Sequence, residues 1–209
     1  MNPKKWTAML LSGALALWLL AGCGGETPPA ASPEASPEAS PAETADPALG
    51  DAAALGSMAS FTAGSLDGGV FTQDDIAAKD MTVVNFWSVT CRPCVAEMPD
   101  LAAFERVLPD RVQLITVCLD AGEDGQDARP ILEDAGYGGV TLISGDGDLA
   151  ALCYNIMAVP TTVFVDSGGR LVGDAMVGGG HKDLSAVYLA ALNDALEAVG
   201  KDAVSLEAE

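Results

Sequence analysis

Basic residues are scarce in this chain: 209 residues carry only 10 Lys and Arg against 30 Asp and Glu, a formal net charge of −20. A field of that sign repels phosphates and anionic headgroups. It argues against nucleic acid as a partner and favours basic or neutral proteins through steering, although its simplest meaning is an acidic, soluble surface. Histidine occurs once, at His181, and the five cysteines contain a single Cys-x-x-Cys. Half of a zinc site has the same spacing, but no second pair is present, so a four-ligand centre would have to recruit Cys118 and Cys153 from apolar segments. No metal and no cofactor is expected. His181 comes after three glycines ahead of the last helix and reads as a loop or capping residue.

The few lysines are informative by position. Lys4 and Lys5 precede an apolar run from Trp6 to Ala21, the charged and hydrophobic regions of an export signal. The run ends in Leu20-Ala21-Gly22-Cys23, which resembles a bacterial lipobox, whose cysteine is lipidated and becomes the new N-terminus. On this reading residues 1–22 are a signal peptide and Cys23 is a lipid anchor. The alternative is an uncleaved transmembrane helix, since about 17 residues is the lower limit of a span; both place the remainder of the chain outside the cytoplasmic membrane. Residues 23–56 are dominated by Ala, Ser, Pro and Glu, with Ala31-Ser32-Pro33-Glu34 repeated as Ala35-Ser36-Pro37-Glu38 and then imperfectly as Ala39-Ser40-Pro41-Ala42. Proline removes donors, small residues offer no core and repeated Glu repels itself, so this segment is expected to be a disordered tether. At about 3.1 Å per residue it would reach up to roughly 100 Å from the lipid.

Residues 57–201 read as one α/β domain, with a flexible tail at 202–209. Phe61 to Ala63 and Val70-Phe71 flank a glycine-rich turn, suggesting an N-terminal β-hairpin before a short helix near Asp74 to Ala78. Met81 to Phe86 is an apolar, β-branched run suited to a central strand covered on both faces. Val95 to Leu108 has helical apolar spacing, with Pro99 expected to kink it. A strand is expected at Val112 to Leu119, a helix at Ala128 to Ala135, a strand at Val140 to Ile143, and a helix at Leu149 to Tyr154 capped by Asp146 or Asp148. Thr161 to Val165 and Arg170 to Val177 form a hairpin, and Asp183 to Val199 is the closing helix. A βαβ unit followed by a ββα unit describes the thioredoxin fold, a central mixed sheet flanked by helices.

Within that pattern Cys91-Arg92-Pro93-Cys94 stands at a helix start. Thiols at i and i+3 there can reach one another, and the first sits where backbone N–H groups and the helix dipole favour a thiolate, with Arg92 adding positive charge. Cys91 is then the nucleophile and Cys94 the resolving thiol that releases a mixed disulfide. Pro93 lies in the first turn, where no donor is needed. Glu97, three residues after Cys94, is placed to exchange a proton with it if buried; otherwise it is a surface glutamate.

These residues resemble the membrane-tethered TlpA/ResA-type thioredoxin-like lipoproteins over approximately Phe61 to Val199. The resemblance rests on Val84-Asn85-Phe86-Trp87 leading to Cys91-Arg92-Pro93-Cys94, on Glu97 and Pro99, and on Val159-Pro160-Thr161-Thr162. It implies that Pro160 is a cis-proline facing the dithiol and shaping a substrate groove, in which the Val159 backbone pairs with an extended peptide and Trp87, Arg92 and Pro93 take part, with a plain core tryptophan as the alternative for Trp87. It also implies that Glu97 moves the proton, because Asn85 occupies the position where ordinary thioredoxins carry an aspartate. Thr90 departs from the tryptophan frequent in the family. The implied activity is extracytoplasmic thiol–disulfide exchange by a monomer, usually reduction of apocytochromes or other oxidised proteins, fed by a membrane electron donor.

Two other functions fit less well. Peroxiredoxins share the fold but seat peroxide with Pro-x-x-x-Thr-x-x-Cys, where this chain has Val84 and Ser88. A lipoprotein that only binds peptides would not need the dithiol, proline and glutamate together. Cys118 and Cys153 read as small buried hydrophobes, with a mutual disulfide or a relay to the active site as the alternative.

Overall fold

The computed structural model describes residues 48–206. The expected export signal, Cys23 and most of the tether lie outside the described residues, as do the last three residues of the tail.

Among these residues eight strands form one mixed sheet: β1 (Ala48–Asp51), β2 (Thr62–Ser65), β3 (Val70–Thr72), β4 (Met81–Trp87), β5 (Val112–Cys118), β6 (Val140–Gly145), β7 (Thr161–Asp166) and β8 (Leu171–Val177). Their order is β1-β8-β7-β4-β5-β6-β2-β3. β4, β5 and β6 run parallel to one another, while β7 pairs antiparallel with β4, and β8 with β7. The expected βαβ and ββα halves therefore meet at β4 and β7. β4 is buried at every residue, as its continuous apolar run requires when both faces are covered.

Among the described residues, five α-helices cover the sheet: α1 (Gln73–Ala77), α2 (Arg92–Val107), α3 (Arg129–Ala135), α4 (Gly147–Asn155) and α5 (Leu184–Ala198). The strand alternation sends Met81, Val83 and Trp87 of β4 to one face, where they pack with Met98, Leu101 and Phe104 of α2, Leu132 of α3 and Tyr188 and Leu192 of α5. The other face packs Val84, Phe86 and Ile115 with Ile76 of α1 and Leu149 and Leu152 of α4. Each large apolar side chain fully buried in these layers stabilises the fold by about 1.5–3 kcal/mol.

Several boundaries differ from those expected of the sequence, for identifiable reasons. Ordered structure begins before residue 57, because β1 pairs with β8 and a one-turn helix at Ala52–Leu55 buries Ala52. The tail is not free as far as residue 206: Val204 is buried, its N–H donates to Asn193 Oδ1 at 2.7 Å and its carbonyl accepts from Asn193 Nδ2 at 3.0 Å. Arg111 Nη2 donates to the carbonyls of Asp202 and Ala203 at 2.9 and 3.1 Å. α2 starts at Arg92, earlier than its apolar periodicity indicates, and continues through Pro99 to Val107. Asp146 occupies the N-cap position of α4, but neither its carboxylate nor that of Asp148 caps the helix. They accept instead from Thr62 N–H and from Ser57 Oγ and the Ala59 and Ser60 N–H groups, tying the helix start to the segment around the beginning of β2.

Candidate active site

β4 ends at Trp87, and residues 88–90 carry the chain into α2, so Cys91 sits as the N-cap of that helix. This is the carboxyl end of the parallel strands, where open α/β sheets place their sites. Cys91 and Cys94 are joined as a disulfide with Cα atoms 5.3 Å apart. Cys91 Sγ accepts from the Cys94 N–H at 3.3 Å, the same hydrogen bond that would stabilise a thiolate at a helix N-terminus. Cys91 is partly exposed and Cys94 is buried, with Arg92 and Pro93 exposed between them.

The Val159–Pro160 bond is cis, and the Val159 carbonyl oxygen lies 3.5 Å from Cys91 Sγ. The turn before β7 is thus laid directly across the dithiol. It is held there by Thr161 Oγ1, which donates to the Ala158 carbonyl at 2.8 Å, and by Gly178 N–H, which donates to the Pro160 carbonyl at 2.9 Å.

Glu97 is 4% exposed, which removes the surface-glutamate alternative. Burial pushes its carboxyl up from 4.5 to about 7, opposed by a hydrogen bond from Asn85 and reinforced by the charge of Asp100. Its Oε1 is 3.5 Å from Asn85 Nδ2, and its Oε2 is buried without a hydrogen-bond partner. Asn85 Nδ2 also donates to Thr162 Oγ1 at 3.0 Å, and Thr162 Oγ1 lies 2.7 Å from the Tyr188 hydroxyl. A buried polar string from β4, β7 and α5 therefore underlies the carboxyl.

Trp87 does not line a groove. Its side chain is fully buried in the layer beneath α2, so it supports the dithiol loop from below rather than meeting a partner.

Two contributors are not marked by the sequence motifs. Asp120, two residues beyond β5, accepts from Val89 N–H at 2.7 Å and from Ser88 Oγ at 2.7 Å, clasping the loop that delivers Cys91. Partial burial opposes its ionisation, but the hydrogen bonds from Ser88 and Val89 outweigh it and hold the carboxyl below its usual range. The register of Trp87 with Cys118 across parallel β4 and β5 is the signal that finds it, since it carries the residues just after β5 to the side of those just after β4. Gly179, in sequence only part of a glycine loop, lies over the site: a Cβ there would come within 2.7 Å of Glu97 Oε2, 3.2 Å of Pro160 Cγ and 3.3 Å of Pro93 Cβ.

Cys118 and Cys153 are both free. Cys118 packs in the layer beneath α2, whereas Cys153 packs against the layer on the opposite face of the sheet. Burial pushes their thiols up to about 12 and about 11. Both nevertheless line one cleft with Val117, Leu119 and Leu149, and as free thiols raised by burial they fit the reading as small hydrophobes. No cluster of three or more metal-ligating side chains occurs among the described residues.

Residues 55–173 match the AhpC/TSA family profile. The chain belongs to the AhpC/TSA family. Among the relatives of this AhpC/TSA member, the thiol:disulfide interchange protein HelX of Rhodobacter capsulatus is 28% identical over 102 residues, 49% of this chain and 55% of HelX. The thioredoxin-like protein YneN of Bacillus subtilis is 28% identical over 119 residues, 56% of this chain and 68% of YneN. The chain thus spans little more than half the length of HelX. Among solved structures, the thioredoxin domain of a thiol-disulfide oxidoreductase from Bacteroides vulgatus superposes with a TM-score of 0.52 at 24% identity, covering 66% of this chain and 97% of that one. The fold is thioredoxin-like, as the strand and helix order implied.

Proposed function

We propose that this protein is an extracytoplasmic thiol–disulfide oxidoreductase that reduces disulfides in partner proteins. The observation that carries the reading is the Cys91–Cys94 pair at the N-terminus of α2, facing the cis Val159–Pro160 bond. In the reduced protein, Cys91 thiolate attacks a substrate disulfide, forming a mixed disulfide and releasing one substrate thiolate. Cys94 then gives its proton to Glu97 and attacks Cys91 Sγ, which forms the Cys91–Cys94 disulfide and releases the second substrate thiolate. Two electrons pass from the dithiol to the substrate. Glu97, with its carboxyl near neutrality, suits proton transfer in both directions. Pro160 and the Val159 backbone position an extended peptide across the dithiol, with Arg92 and Pro93 exposed at its edge.

Export, anchoring by lipidated Cys23 and a membrane electron donor complete the proposal, supported by the sequence of the N-terminus and the TlpA/ResA resemblance. Among the described residues no helix is long and apolar enough to cross a membrane. Peroxide chemistry has less support: Val84 stands in the proline position, and the Ser88 hydroxyl donates to Asp120.

Insulin reduction measured beside peroxide consumption separates the readings. Turnover of insulin lost in Cys91→Ser is expected; peroxide consumption with no insulin reduction would reverse the assignment, and inactivity in both would favour a binding protein. The direction is read from the reduction potential of the couple: a value near about −270 mV supports a reductant and one near about −120 mV an oxidant.

A further inference from the structure

Glu97 is walled off from the substrate side. Gly179 lies against Glu97 Oε2, Pro160 and Pro93, leaving no room at that point for even one added carbon. A carboxyl that takes a proton from Cys94 must nevertheless pass it on before the next cycle. Beside this contact Glu97 lines a small cleft of about 100 Å³, shared with Pro93, Ala96, Asp100, Gly180 and His181. His181 is the chain's single histidine and is partly exposed. An imidazole takes up and releases protons near neutral pH, which is what the mouth of such a path requires.

We propose that His181 is a positioning residue for proton traffic, receiving the proton of Glu97 through this cleft and releasing it to solvent. The assignment rests on the proton role proposed for Glu97. In the reductive direction Cys94 thiol becomes thiolate as Glu97 becomes the neutral acid. The acid then returns to carboxylate as the proton crosses to His181 and on to water or a departing substrate thiolate, so no oxidant or reductant is added. The titratable groups around Glu97 are Asp100 on its own helix, His181 on the β8–α5 loop, Cys94 one turn back, and Tyr188 on α5, reached through Asn85. Lys182 and Asp183, next in the chain after His181, are exposed. Asp100 shares the cleft with Glu97 and His181.

The test uses the full chain and His181→Gln, which keeps a polar side chain but cannot relay a proton. In weak buffer near pH 7, the resolving step followed in a single turnover is expected to slow about three- to tenfold, to become dependent on buffer concentration, and to recover with added imidazole. Glu97→Gln should slow the same step without imidazole rescue. A wild-type pH profile and buffer independence in His181→Gln, while wild type exchanges disulfides normally, would overturn the relay. A second readout does not need turnover: the His181 ring resonances are titrated by NMR in wild type and in Glu97→Gln. Coupled groups shift each other reciprocally, so the midpoint is expected to move between the two proteins, and an unchanged midpoint overturns the proposal. Loss of disulfide exchange in wild type itself would instead count against the oxidoreductase reading, leaving the NMR comparison to decide the relay.

Discussion

The backbone of Gly179 rests on the carboxyl of Glu97, so close that a Cβ would lie 2.7 Å from Oε2. Gly179 has no left-handed backbone requirement, and alanine is excluded there by space alone. In Gly179→Ala the side chain of Glu97 must give way, because Pro160 and Pro93 close the other sides. Disulfide exchange is expected to fall about tenfold, with the midpoint of its pH profile displaced and thermal stability changed by no more than about 1 kcal/mol. A profile superimposable on wild type would show that the loop does not set the carboxyl's position.

Burial of Glu97 also has a sign in stability. Its carboxyl titrates at about 7 when folded against 4.5 for the free group. The folded protein therefore holds the proton over a range where the unfolded chain has lost it. The associated stability is fully present below pH 4.5 and is lost as pH rises through about 7, a change of roughly 3 kcal/mol. Glu97→Gln removes the titration, so urea unfolding at pH 8 should show the variant gaining up to about 3 kcal/mol on wild type, an advantage that shrinks to nothing near about pH 4.5. An equal difference at both pH values would refute the buried, raised carboxyl.

Asp120 offers a test of the loop that carries Cys91. Asp120→Ala deletes the acceptors of Val89 N–H and Ser88 Oγ, at about 1 kcal/mol for each hydrogen bond. Stability should drop by about 1–2 kcal/mol, and the rate of Cys91 attack on a small disulfide should fall with it. Unchanged kinetics would mean that α2 alone positions the thiol.

The C-terminal segment is predicted to be structural. Removing residues 202–209 exposes the site that buries Val204 and strands both polar groups of the Asn193 amide. A loss of about 2–4 kcal/mol is expected from apolar burial and hydrogen bonds together, read as a lower urea midpoint. A truncated protein as stable as the full chain would restore the flexible tail.

Much of this arrangement is legible in the sequence because it is local. β4 announces itself by its unbroken apolar run, and the Cys91-Arg92-Pro93-Cys94 spacing places both thiols at a helix start. Boundaries move where side chains serve distant partners: Asp146 and Asp148 have the composition of helix caps but bond to residues near the start of β2. The parts of the site that escape, Asp120 and Gly179, come from elements that reach the dithiol only through the sheet, and neither residue type marks a site by itself. Trp87 shows the converse, since a tryptophan four residues before the dithiol suits a groove or a core alike in sequence, and its burial decides for the core.

The burial of Cys118 and Cys153 has a practical outcome. Both remain poor nucleophiles at neutral pH, one buried and the other partly so, with thiols raised to about 12 and about 11. Brief alkylation of the native domain should therefore label neither of them, and the reagent count should follow the partly exposed Cys91 alone, since Cys94 is itself buried. The fold supplies its own clean electrode: bound label per domain measures what fraction of the molecules hold electrons, with no background from the remaining sulfur.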